Sequence, residues 1–172
     1  LHVTITVYTD AVCDALVLNS SPSMTIPAHD DIGIVVIFHR NKGIKRTGFR
    51  KALRQIWIEP TQQGGQPTWG AKPFPKADRS GKFVTIASGN KADNDALPIR
   101  ADARVLATTL KAGETAEYAL GEDRYGYLVP ASGSVEVNGV RANTRDGVAV
   151  EKEALVKITA LEDTELVLVD AA

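Results

Sequence analysis

The chain has 172 residues, 44% of them hydrophobic and 24% charged, with 20 basic against 21 acidic side chains and a net charge of -1. That is one ordinary domain, or one domain with part of a second; it excludes a large multidomain enzyme, and it excludes attraction to nucleic acid or anionic membranes as a whole-chain property. The single cysteine, Cys13, excludes an intramolecular disulfide and a cysteine-rich zinc or iron–sulfur site, and no apolar run approaches the roughly 18–20 residues of a membrane-spanning helix.

The first segment, LHVTITVYTD, has neither a basic n-region nor a long apolar h-region and does not read as a signal peptide. It also lacks an initiator methionine, so a processed, truncated or incompletely determined N-terminus is expected, and a cytoplasmic location with it. LHVTITVY, ALVL, IGIVVIF and LRQIWIEP read as strands, while Asp14–Leu18 and Gly48–Ile56 compete as helical turns without complete caps. Residues 61–81 are rich in Gly and Pro and read as a connector, which Trp69 and Phe74 pin to a domain surface. Residues 88–98 read as a polar loop. From Phe83 onward, short runs rich in Val, Ile, Leu and Tyr recur at intervals of about 8–12 residues, the pattern of an all-β sandwich or barrel. Strands are expected near 82–87, 103–110, 114–120, 124–130, 134–138, 147–150, 154–160 and 164–170. Asn138-Gly139 is the strongest hairpin signal, because both residues tolerate the positive φ of a type I′ turn. Ala112-Gly113, Ser132-Gly133 and Asp146-Gly147 read as further turns of the same kind. Leu166–Val169 is apolar on both faces and belongs inside a layered structure. The expected organisation is a front portion over 1–60, the connector over 61–81 and a β-domain over 82–172.

Three histidines, His2, His29 and His39, limit any metal site. A catalytic first-row metal needs three or four converging N or O ligands. PAHDD supplies His29, Asp30 and Asp31; on a continuous strand, positions 29, 31, 37 and 39 share a face, so His29, Asp31 and His39 are the candidate ligands. The plainer reading puts His29 in a polar turn and His39 at a strand end. Cys13 sits among apolar neighbours as inert packing, and there is no G-x-S-x-G elbow, P-loop or G-x-G-x-x-G fingerprint. The acidic pairs Asp30/Asp31 and Glu122/Asp123 fall in predicted turns, where solvation is their expected role. From Arg40 to Trp57 the chain carries Arg40, Lys42, Lys45, Arg46, Arg50, Lys51 and Arg54 without an acid, interleaved with Phe49 and Trp57. Such a stripe can track phosphates while aromatics stack on bases, bind a protein or anionic ligand, or serve as a solvated face.

Four blocks keep a recognisable order and spacing: LRQIWIEPTQQGGQPTWGAKPF, then GKFVTIASG, then IRADARVLATTLKAGETAEYAL, then DRYGYLVPASGSVEVNGVRANTRDGVAVEKEALVKITALEDTELVLVDA. From about Leu53 to the end the chain resembles the pirin family of bicupins, especially the bacterial pirin-like quercetinases. The resemblance implies two cupin barrels, each a double-stranded β-helix of jelly-roll type. It implies one iron-type metal in the N-terminal cupin held by three His and a Glu, a C-terminal cupin without metal ligands, and, in some members, cleavage of the flavonol quercetin with O2.

The front of the chain departs from that pattern. Family ligands come from a HPHRDxE-like and a GTGIRHSEF-like segment, and Thr25–Phe38 and Asn41–Phe49 are faint echoes of these. Arg46 stands where a His ligand would be and Gly48 where the acid would be, while His29 is displaced in spacing. Arginine is permanently protonated and has no acceptor atom, so it does not substitute for a ligand. Three origins fit: a shortened metal-free relative, a front portion recombined or diverged into a new packing surface, or an N-terminal sequence displaced by a frameshift.

The sequence therefore reads as a pirin-like cupin with a curtailed N-terminal barrel, a non-catalytic binding or regulatory module without a cofactor, with a protein partner or a second copy of itself as the expected partner. The alternative is a quercetin 2,3-dioxygenase using one mononuclear transition metal (iron, nickel, copper or manganese), with His29, His39 and Asp31 around it and a flavonol as substrate; a carboxylate such as Asp31 would then take the substrate proton. A third reading is nucleic-acid binding through the basic stretch 40–54.

Overall fold

The computed structural model describes residues 3–9, 15–19, 34–39, 52–61 and 70–172. They belong to two compact units, Leu1–Phe74 with Ile99–Ala101, and Pro75–Pro98 with Asp102–Ala172.

The first unit carries one antiparallel sheet of β1 (Val3–Thr9), β2 (Ala15–Asn19), β3 (Ile34–His39), β4 (Ala52–Ile58) and β5 (Gly70–Pro73), in the order β3-β4-β1-β2-β5. VTITVYT and IVVIFH are dense in β-branched residues, whose stiff χ1 favours the pleated backbone. The two segments that compete as helical turns are strands as well, Ala15–Asn19 and Ala52–Ile58, each paired with β1. Register is long-range: Ile5 stands opposite Leu18 on one side and Ile56 on the other. Ile56 and Ile58 are buried. Within the stretch that reads as a connector, Gly70–Pro73 is a strand paired with β2. Phe74 is partly buried with the Lys72 ammonium 5.8 Å from its ring centroid, whereas Trp69 lies outside the described residues.

The second unit holds two sheets. The larger, in the order β13-β10-β15-β8-β6-β7, contains β6 (Val84–Ser88), β7 (Leu97–Pro98), β8 (Ala103–Leu110), β10 (Tyr125–Ser132), β13 (Val148–Glu151) and β15 (Thr164–Ala171). The smaller, β12-β11-β14-β9, contains β9 (Thr115–Ala119), β11 (Val135–Val137), β12 (Val140–Ala142) and β14 (Leu155–Ala160). All eight expected strands appear within two residues of their predicted ends; β14 shows the period-2 pattern plainly, burying Val156, Ile158 and Ala160 and turning Leu155 and Lys157 outward, whereas β15 is buried without alternation. Leu97–Pro98 corrects the loop reading of 88–98: it pairs in parallel with the end of β6.

Leu106, Leu128, Val135, Val137, Val156, Ile158, Leu166 and Leu168 interdigitate between the sheets as one core. β15 is buried at its first seven positions, as its two-faced apolar sequence requires. On the face carrying Glu165, Val167 and Val169, Arg79 closes a buried ion pair with Glu165 at 2.9 Å, and the more exposed Lys76 ammonium lies 3.1 Å from the same carboxylate. Asn138 (φ 45°) and Gly139 (φ 86°) form the hairpin turn between β11 and β12. The turn before β13 differs from expectation: Arg145 takes the positive φ (75°), not Gly147. Gly147 is needed for closeness instead, since a Cβ there would fall 2.0 Å from the Tyr127 hydroxyl.

Candidate functional site

The residues singled out from the sequence lie mainly outside the description. His29, Asp31, Lys42, Lys45, Arg46, Arg50, Lys51 and Cys13 are outside the described residues. Of the positions expected to share a strand face, only Ile37 and His39 are on β3, which begins at Ile34; His39 is its last residue and stands opposite Leu53. Arg54 is in β4, opposite Phe38 and Val7. Glu122 and Asp123 are exposed in the turn before β10, as solvated acids should be.

Sequence reasoning missed a polar cluster at one end of the second unit's inter-sheet space. β15 parity places Asp170 on the same face as Leu166 and Leu168, and its backbone partners are Gly126 and Arg104. Asp170 is 1% exposed. A buried carboxylate must be ion-paired and hydrogen-bonded: the Tyr118 hydroxyl donates to Oδ2 at 2.5 Å, Arg124 Nε donates to Oδ1, and Arg104 Nη1 lies 3.8 Å away. Both guanidiniums have a second acid, Arg124 donating to Asp102 at 3.0 Å and Arg104 to Asp93 at 2.8 Å. The Ser88 hydroxyl also donates to Asp93 at 2.5 Å. Tyr118 comes from the small sheet and Asp170 and Arg104 from the large one, so the cluster ties the two together.

Its electrostatics describe a clamp. The Ser88 hydrogen bond first, and Arg104 second, hold the Asp93 carboxyl below its usual range. Burial first, and the hydrogen bond to Asp170 second, push the Tyr118 phenol up, so it stays a neutral donor near neutral pH. Neither group is poised as a nucleophile or a base. A transition metal does not fit either: the Asp170 oxygens are already taken by donors, and the adjoining arginines would repel a cation while offering it no lone pair. Among the described residues no group of three or more His, Cys, Asp or Glu is arranged to hold a metal ion. The signal for this cluster was present in ELVLVD: one acid in phase with two buried leucines of an apolar strand demands cations.

Beside the cluster, between β6, β8 and β9, the sheets part to leave an open groove of about 840 Å³. Phe83 and Tyr118 line it with an edge-to-face contact, centroids 5.8 Å apart at 65°. Leu106 reaches the groove from β8, and Lys82 and Lys157 are exposed where they border it.

Comparison with known proteins places this architecture. The family model for the quercetinase C-terminal cupin domain matches residues 85–171. A pirin-like protein of Caulobacter vibrioides is 73% identical over 145 residues, covering 81% of this chain and 62% of the relative. A Pseudomonas aeruginosa protein provisionally named a quercetin 2,3-dioxygenase is 64% identical over 118 residues, covering 69% of this chain and 51% of the relative. The chain thus spans between half and two thirds of the length of these relatives. In structure it is similar to the bacterial pirin YhhW of Escherichia coli, solved in complex with nickel(II), with a TM-score of 0.71 over 99% of this chain and 72% of that one at 24% identity. No helix among the described residues is long and apolar enough to cross a membrane. The fold is that of a cupin, and with the family model matched over half its residues, the chain belongs to the pirin family.

Proposed function

We propose that the described part of this pirin-family chain is a non-catalytic binding module. The observation that carries the reading is the packing of the second unit: the positions facing inward between its sheets are filled by Leu106, Leu128, Ile158, Leu166 and Leu168, and the buried acid on that same face, Asp170, is neutralised by arginines and hydrogen-bonded by Tyr118. A reaction centre for O2 chemistry requires an open coordination position and converging donors, and an interior closed by aliphatic side chains supplies neither. Purified protein is expected to contain no stoichiometric iron, nickel, copper or manganese and to take up no oxygen with quercetin. Stoichiometric metal together with turnover overturns the reading.

A second reading rests on the relatives. The Pseudomonas aeruginosa protein is named for quercetin 2,3-dioxygenase activity, and the E. coli pirin was solved with nickel(II). For the whole protein this supports a mononuclear metal and a flavonol substrate in the front portion, with His29, His39 and Asp31 as the residues to test. Individual substitution of these three, with metal content and oxygen uptake measured, separates the readings: loss of both on any one of them favours the enzyme.

A further inference from the structure

We propose that the groove between β6 and β9 binds a small aromatic carboxylate. This deepens the binding-module reading and rests on it. The groove, about 840 Å³, lies within the roughly 300–1,000 Å³ typical of small-molecule sites. It exists because the two sheets have edges there: β9 is the outermost strand of the four-stranded sheet, and Val84–Thr85 of β6 pairs only with β8, since β7 reaches no further than Ala87 and Ser88.

Its lining specifies the ligand. Phe83 and Tyr118 give two ring surfaces in T-shaped contact, a geometry that takes a third ring by stacking or edge-on packing. Tyr118 is fixed before any ligand arrives, because its hydroxyl is held by Asp170 and that carboxylate is in turn held by Arg124. A wall already ordered loses little entropy on binding. Lys82 makes no ion pair among the described residues, and Lys157 has only Glu117, at 4.0 Å between exposed side chains. Two cations against one acid leave the groove with one net positive charge, which suits a monoanion and disfavours a polyphosphate. An aromatic ring with a single carboxylate matches both features at once.

The probe is 2-naphthoate, titrated calorimetrically into the 172-residue chain, with 2-naphthamide as its neutral isostere. Saturable one-to-one binding is expected, several-fold tighter for the acid than the amide and weaker at high salt. Lys82→Gln and Lys157→Gln should each weaken the acid several-fold and leave the amide unchanged, and Phe83→Ala should weaken both about tenfold. Lys82 and Lys157 are exposed, so their variants keep the fold and carry the test should Phe83→Ala fail to fold. Equal affinity for acid and amide, indifference to both lysine substitutions, or no saturable binding overturns the proposal. Those results leave the module reading standing, because that reading falls only to metal with turnover.

Discussion

Replacing Asp170 with Asn removes one buried negative charge while keeping the shape of the side chain. Asp170 is 1% exposed and receives hydrogen bonds from Tyr118 and Arg124, with Arg104 3.8 Å away. Breaking a buried ion pair by removing one partner costs about 3–5 kcal/mol, chiefly because the other charge is left uncompensated. Here the loss is softened. Arg124 keeps Asp102 at 3.0 Å and Arg104 keeps Asp93 at 2.8 Å, and both guanidinium side chains are already about a quarter exposed (24% and 29%). The cost should therefore be about 2–3 kcal/mol, at or just below the floor of that range. Tyr118→Phe deletes one hydrogen bond to a charged acceptor and should cost about 1.5 kcal/mol. The two act on the same contact, so the double variant should fall short of the sum by about 1 kcal/mol. Urea unfolding followed by far-UV circular dichroism measures all three. A cost below about 0.5 kcal/mol for Asp170→Asn, or strict additivity, would refute the clamp.

Gly139 and Gly133 both have positive φ (86° and 71°), but a Cβ at Gly139 meets nothing within 4 Å whereas one at Gly133 falls 2.5 Å from the Asp163 carbonyl oxygen. Gly139→Ala should cost about 1 kcal/mol and Gly133→Ala about 2–3 kcal/mol; equal urea midpoints would remove the steric argument. The lowered Asp93 pKa contributes stability that is complete above its ordinary value of 3.8 and is lost as pH falls through the folded value, so Asp93→Asn should flatten the acid limb of the stability curve. The raised Tyr118 pKa works in the opposite direction: its contribution is complete below 10.0 and is lost as pH rises through the folded value, so Tyr118→Phe should flatten the alkaline limb. Among the described residues the first unit's sheet ends on β3 and β5, and strand edges without a partner template self-association; light scattering should find dimers at high concentration, and a monomer there contradicts the expectation.

The second unit was legible because its information is local. Val135, Val137 and Val140 bracket Asn138-Gly139, so strand, turn and return strand are all written within six residues, and the backbone adopts the predicted φ values. β15 was legible for the opposite reason, its lack of alternation, which only a strand buried on both faces tolerates. The short strands were not. GAKP has no apolar alternation and LP only two residues, and each becomes a strand because a neighbour, β2 or β6, presents an open edge to it. Gly147 shows the same limit: its sequence says turn, while its necessity comes from Tyr127, twenty residues away and pressed against it.

The polar cluster lay further out of reach. Ser88, Asp93, Arg104, Tyr118, Arg124 and Asp170 share no spacing, and all but Asp170 read alone as ordinary surface residues. Only Asp170 carries a local signal, a charge where strand parity demands a hydrocarbon, and that signal states a need without naming who meets it. The answer requires the fold, which brings β9 of one sheet against β15 of the other. Spending the buried acid on two arginines and a phenol removes it as a metal ligand and as a base, and the same contact stiffens the ring that lines the groove. One set of residues thus argues against redox chemistry in this barrel and for recognition at its mouth, and Asp170→Asn should expose the link: a Tyr118 ring freed from its anchor is expected to weaken 2-naphthoate several-fold while the Lys82 and Lys157 discrimination between acid and amide survives.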